Sequence, residues 1–263
     1  MQPRLPFDDP SVDALSDADR RAIAEHWRRR SRSELVVGRA FAAMVPVLQE
    51  RGATAVVLEM LVRGASDEER HAALCVKLAE TYAGAPVAPP EVTHVALPRF
   101  GVGDEELEHA LLVAGMCCVN ETLATAWLGA CLDAATAPLA VAANRVHLQD
   151  EIDHARLGWA HLASNAVSRA TRGALGECLP ALLEANAPAW ERDDPALPAH
   201  GIPAHGHVGT RASRRVAHDA LRDLVLPGFA HVGVDTRAAQ AWLVTRTSRT
   251  PAAGPASSPP QET

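Results

Sequence analysis

Two short strings carry residue types and spacings that can do chemistry. Asp67-Glu68-Glu69-Arg70-His71 contains Glu68-x-x-His71, and Asp150-Glu151-Ile152-Asp153-His154 contains Glu151-x-x-His154. Residues three apart on a helix lie on one face, so each pair can turn a carboxylate and an imidazole toward a single metal ion. One such pair is commonplace on solvated helix surfaces. Two pairs need elements that bring them together, and the rest of the chain supplies such elements.

The sequence is alanine-rich, with one Tyr and four Phe, and has few β-branched runs, a composition that favours helices. Four long helices are expected at 31–50, 54–83, 104–134 and 138–165. A further helix is expected over 167–186, and a C-terminal one from Arg211 through Phe229. Asp104 is placed to cap the third, and Pro138 suits the first turn of the fourth. The first pair is joined only around Gly52 and the second only by Ala135 to Ala137, so each pair should close as an antiparallel hairpin. Residues 84–103 (GAPVAPPEVTHVALPRFGVG) form a long proline-rich connection between the hairpins. The expected fold is therefore all-α, two hairpins joined by a long crossover, with additional C-terminal helices; the length of the link alone leaves an up-down arrangement open.

Reflection through these turns completes the candidate site. A turn centred near residue 52 sets position 34 opposite position 70, which brings Glu34 level with Glu68 and His71. A turn near residue 136 sets Glu121 opposite Glu151, level with His154. Each hairpin thus offers one Glu from its first helix and an E-x-x-H from its second. Glu121 lies in GMCCVNETLATAWLGACL, where an unpaired buried carboxylate would be costly, so protonation, ion pairing or metal binding is expected there. Glu34 sits in the polar run WRRRSRSE, where a surface ion pair with Arg30 is the competing expectation.

The order Glu34, Glu68-x-x-His71, Glu121, Glu151-x-x-His154 resembles the ferritin-like di-iron carboxylate superfamily, specifically bacterial proteins with a ferritin-like domain. The resemblance covers roughly 30–165 and includes DEERHAALC and DEIDHARLGWAHLA. It implies a four-helix bundle with two transition-metal ions, iron first, manganese or zinc as alternatives. It also implies that Glu68 and Glu151 bridge the ions, with Glu34 and His71 on one and Glu121 and His154 on the other. Four carboxylates and two imidazoles are oxygen and nitrogen ligands that suit these metals. The implied activity is that of an oxidoreductase or oxygenase using dioxygen and an unidentified small molecule. Iron storage with ferroxidase chemistry and a non-catalytic helical adaptor are the alternatives. Asp150, Asp153, Asn120 and His147 are candidates to orient the ligating histidines, with a surface position equally open for His147.

Other features have plainer readings. Tyr82 lies eleven residues beyond His71, about 16 Å along a straight helix, too far to adjoin the metals. The five cysteines, Cys75, Cys117, Cys118, Cys131 and Cys178, read as small core side chains without disulfide or zinc-knuckle spacing. His200, His205 and His207 fall in a Gly/Pro-rich loop at 187–208 and read as loop composition. Arg211, Arg214 and Arg215 read as a solvated or acid-pairing face, and Trp127 and Trp159 as packing residues.

Chain organisation is expected as an N-terminal segment at 1–30, the bundle at 31–165, a helical extension at 166–250 and a disordered tail at 251–263. A formal charge of -7 argues against generic nucleic-acid binding. The first residues hold acids and prolines where a secretion signal needs a basic then apolar run, and the apolar stretches are broken by Arg63, Glu68, Glu121 and Asp133. The expectation is a cytoplasmic protein without a membrane span, with homo-oligomerisation left open.

Overall fold

The computed structural model describes residues 5–249, and these are mostly helical. Helix α1 spans Asp17–Glu50 and begins well before the expected residue 31. Ser16 explains the start: its hydroxyl accepts from the Asp19 backbone N–H and donates to the Asp19 carboxylate, a reciprocal cap. Ile23, Ala24 and Trp27 then bury one face of the added turns. The division at residue 30 is therefore corrected, because residues 17–30 continue the first site helix. Residues upstream pack as well: Val12 joins the core beside Ile23 and Tyr82, and Asp9 accepts from the Leu139 N–H at 2.9 Å.

Helix α2 spans Ala55–Ala83 and stops at Gly84, whose φ of +67° is the left-handed cap conformation that glycine adopts without strain. Contacts pair Gly38 with Glu68 and Phe41 with Gly64, while Arg20 bonds the Tyr82 carbonyl, so α1 and α2 run antiparallel. The link at 84–104 has no regular structure and returns along the helices, with Arg32 donating to the Glu91 carbonyl. It delivers the chain to Glu105, which pairs with Arg51 at the opposite end.

Helix α3 spans Glu105–Ala134 and is interrupted by a π-helical segment at Ala114–Asn120. Helix α4 spans Pro138–Ala163 and packs antiparallel to it, with Gly158 against Cys117 and Cys118, and Thr125 donating to the Glu151 carbonyl. Helices α2 and α4 also pack together, which joins the two hairpins. A Cβ on Gly158 would lie 2.7 Å from both Cys117 Cβ and Cys118 Sγ, so the glycine sets how closely α4 approaches the π segment.

The remaining elements form a layer against α3. Helix α5 (Arg169–Glu191) runs five residues past its expected end. A two-stranded antiparallel ribbon, β1 (Gly201–Ile202) and β2 (His207–Val208), precedes α6 at 210–231, with a second π segment at Leu221–Val225, and α7 (Arg237–Arg249). Leu175, Leu179, Leu182, Leu221, Val225 and Phe229 form one core with Leu111, Ala114 and Cys118. Trp159 of α4 joins it edge-on to Phe229, a packing role. Among the described residues, α3 alone is long and apolar enough to cross a membrane, its Glu121 and Asp133 notwithstanding; 67% of its most apolar window is buried within the protein. The expected disordered tail at 251–263 lies outside the described residues.

Candidate metal centre

Four helices each contribute to one buried acidic cluster. Glu34 comes from α1, Glu68 and His71 from α2, Glu121 from the turn that follows the π segment of α3, and Glu151 and His154 from α4; all six are buried. Their ligand atoms fall into two groups. Glu34, Glu68, His71 and Glu151 lie within 4.8 Å of one another, as do Glu68, Glu121, Glu151 and His154. The groups share Glu68 and Glu151, and each adds one further glutamate and one histidine.

The histidines are held in a crossed arrangement. His71 Nε2 lies 3.1 Å from Asp150 Oδ2, and His154 Nε2 lies 3.4 Å from Asp67 Oδ2. Each motif's leading aspartate thus serves the other motif's imidazole, and Arg70 bonds both Asp67 and Asp150. With Nε2–H directed to an aspartate, each Nδ1 faces the cluster. His154 Nδ1 is 3.1 Å from Glu68 Oε1 and 3.2 Å from Glu151 Oε2. His71 Nδ1 is 3.5 Å from Glu68 Oε2, and both atoms are buried without a hydrogen-bond partner. Four clustered carboxylates and two inward nitrogens form an oxygen and nitrogen donor set with unsatisfied members, which a pair of divalent transition metals fits.

Without a metal, protons and one arginine offset the charge. Burial opposes ionisation of Glu34, but the Arg30 guanidinium outweighs it and holds Glu34 below the ordinary carboxylate range. Burial, reinforced by the charges of Glu34 and Glu151, pushes Glu68 up to about 8. Burial likewise lifts Glu121 well above its ordinary value, with Glu151 and Glu68 adding to it. Burial disfavours charged imidazoles, yet Asp150 and Glu68 raise His71 to about 10, and Asp67, Glu151 and Glu68 raise His154 above the usual imidazole range. Metal ions would displace these protons.

The competing reading of Glu34 as a surface ion pair is corrected in one respect. Arg30 Nε does bond Glu34 Oε1 at 2.5 Å, but Glu34 is buried, the Arg30 side chain is only 12% exposed, and Arg30 Nη2 also reaches within 3.9 Å of Glu151. Arg30 lies over the rings of Trp27 and Trp127, at 5.7 and 5.4 Å, so Trp127 packs on a cation beside the site.

Of the candidates to orient the histidines, only Asp150 does so. Asp153 pairs with Arg63 and Arg156, and Asn120 turns away to Asn186 and Trp190. His147 is fully buried and not a surface residue; its Nδ1 bonds the Ala143 carbonyl at 2.9 Å and its ring lies 4.6 Å from that of His71. Asp67 was missed, although it occupies in the first motif the place Asp150 occupies in the second.

The histidine loop also differs from its plain reading. His200 is exposed, but His205 and His207 are buried: His205 Nδ1 is 2.9 Å from the Tyr82 hydroxyl, and the His207 ring lies 4.5 Å from His26. The loop covers one end of the helices. Arg214 bonds the Glu191 carbonyl and Asp193 there, consistent with an acid-pairing face. The five cysteines are free thiols. Comparison of the chain with protein-family models, curated proteins and solved structures yields no match.

Proposed function

We propose that this chain is a dinuclear-metal oxidoreductase or oxygenase of the ferritin-like carboxylate kind, using dioxygen and a small-molecule substrate in the cytoplasm. The observation that supports it is the pair of ligand groups sharing Glu68 and Glu151, each completed by its own Glu and His. Two antiparallel hairpins joined by a long returning link are compatible with the ferritin-like bundle.

In this reading Glu34 and His71 would hold one ion and Glu121 and His154 the other, with Glu68 and Glu151 common to both ligand groups. Four carboxylate charges balance two dications, and six side chains leave coordination positions open. Iron is the first choice, with manganese or zinc suited to the same donors. Reduced iron, when bound, would supply the electrons for dioxygen activation. Asp150 and Asp67 keep each Nδ1 directed into the carboxylate cluster, where it would meet a metal, and Arg70 holds the two aspartates. Phe41, edge-on to His154 at 5.7 Å, and the buried Cys117 and Leu157 exclude water on the Glu121 side.

Anaerobic reconstitution with ferrous iron should leave at least two equivalents bound per chain, and the H71A/H154A double variant should lose them together with metal-dependent oxygen consumption. No bound metal in the wild-type chain would sink the reading. That outcome would favour a structural role, for which the buried Arg30–Glu34 ion pair is the specific argument.

A further inference from the structure

Beside the two groups lies a third, which adds to Glu34 two residues the dinuclear reading does not use, Cys75 and His147. Glu34, Cys75 and His147 are all buried, and their ligand atoms lie within 4.8 Å of one another. Cys75 is one helical turn beyond His71 on α2, and His147 one turn before Glu151 on α4, so both project from the faces that carry the ligands. We propose that Cys75 and His147, with Glu34, form a third metal subsite that takes a thiophilic dication such as zinc or cobalt.

Three features of the geometry support it. The Ala143 carbonyl accepts from His147 Nδ1–H, which fixes the tautomer and leaves the Nε2 lone pair directed at Cys75. His147 Nε2 and Cys75 Sγ are 3.6 Å apart, whereas metal–sulfur and metal–nitrogen bonds of about 2.3 and 2.0 Å at a tetrahedral angle span about 3.5 Å. The neighbours set the charge. Burial, with Arg30 from α1 and His71 from α2 adding to it against Glu34, keeps His147 neutral, as a ligand must be. Burial and the charges of Glu34, Glu68 and Glu151 push the Cys75 thiol well above its ordinary value against the pull of Arg30, so the metal itself must displace the thiol proton. Trp27 from α1 stacks on the His147 ring at 5.8 Å and closes the outer side.

Binding is a proton exchange: the Cys75 S–H bond breaks, its proton passes to solvent, and the sulfur lone pair forms the metal bond, without a change of oxidation state. Glu34 is common to this subsite and the first ligand group, so an ion here would stand next to the proposed pair. Cys75 and His147 lie outside the dinuclear reading, so a test on Cys75 separates the subsite from the pair.

Anaerobic cobalt titration of the metal-free full-length chain, read by absorption and by bound metal, tests it. Cys117 is the competing sulfur, since it lies beside Glu121 and His154. The wild-type chain and C117S should each show a sulfur-to-cobalt charge-transfer band and bind about three equivalents. C75S should lose the band and one equivalent while keeping the other two. X-ray absorption of the zinc-loaded wild-type chain should show a sulfur neighbour at about 2.3 Å, a readout independent of how C75S folds. No band and no sulfur neighbour in the wild-type chain, or a band that survives C75S, overturns the subsite and identifies the Cys75–His147 contact as a thiol hydrogen bond. Loss of the other two equivalents with retention of the band counts against the dinuclear centre alone.

Discussion

The two hairpins present the same ligand pattern in opposite surroundings. On the α1–α2 side, Glu34 is held as an anion by a buried guanidinium and has a thiol and a third imidazole for neighbours. On the α3–α4 side, Glu121 has Cys117 for a neighbour, Phe41 packs edge-on against His154, and burial drives Glu121 toward the neutral acid. Repetition of E-x-x-H sets where ligands stand, whereas the residues behind them set how much charge each half tolerates before any metal arrives. The halves should therefore bind ions with unequal affinity despite equivalent donors.

The sharpest way to break that asymmetry is to remove Arg30. R30M should destabilise the metal-free protein by about 3–5 kcal/mol, because it leaves the Glu34 charge buried without a partner. With metals bound the loss should be smaller, since the ions then carry the compensation. Paired melts of metal-free and reconstituted protein test this. An equal loss in both states would mean that Arg30 acts through its contacts with Trp27 and Trp127.

A medium effect is expected from the crossed aspartates. D67N and D150N should each lower metal affinity by about 10- to 100-fold, as loss of a partner that orients a ligating histidine does. Asp67 is almost enclosed, with a side chain 5% exposed, against 27% for Asp150, so D67N should lie toward the upper end. Competition with a chelator of known affinity measures both, and identical losses would show that the halves are equivalent after all.

The smallest effect should be seen in metal-free E121Q. A carboxyl whose pKa is raised on folding destabilises the native state above its unfolded value of 4.5 and has no effect below it. E121Q should therefore melt at or above the wild-type temperature near neutral pH, with the difference vanishing as pH falls through 4.5. It should nevertheless lose metal. E34Q should show the reverse, a less stable metal-free protein, because it removes the partner of Arg30.

The six clustered side chains were legible because helical spacing and reflection through short turns are local rules, and a shift of one or two residues in the turn centre leaves whole carboxylates within reach. The start of α1 was present in the sequence as Ser16 and Asp19 with Ile23 and Trp27, but the basic run from Arg28 to Arg32 obscured it. The burial of His205 and His207 depends on rings more than a hundred residues away along the chain, such as Tyr82, and no local pattern carries that information. Asp67 and Cys75 were visible as residue types, yet their roles follow only from the way α2 faces α4.

The π-helical segment at Ala114–Asn120 gives the site a dependence on chain length. Each residue beyond the α-helical count rotates everything downstream by about 100° around the helix axis. Glu121 is the first residue after the segment, so its heading is fixed by counting the residues before it, with no special side chain required among them. Straightening this stretch into a regular α-helix with every residue kept would leave every ligand in the chain and turn Glu121 away from its partners. The position of that ligand is written in spacing, a kind of information that replacing residues one at a time leaves untouched.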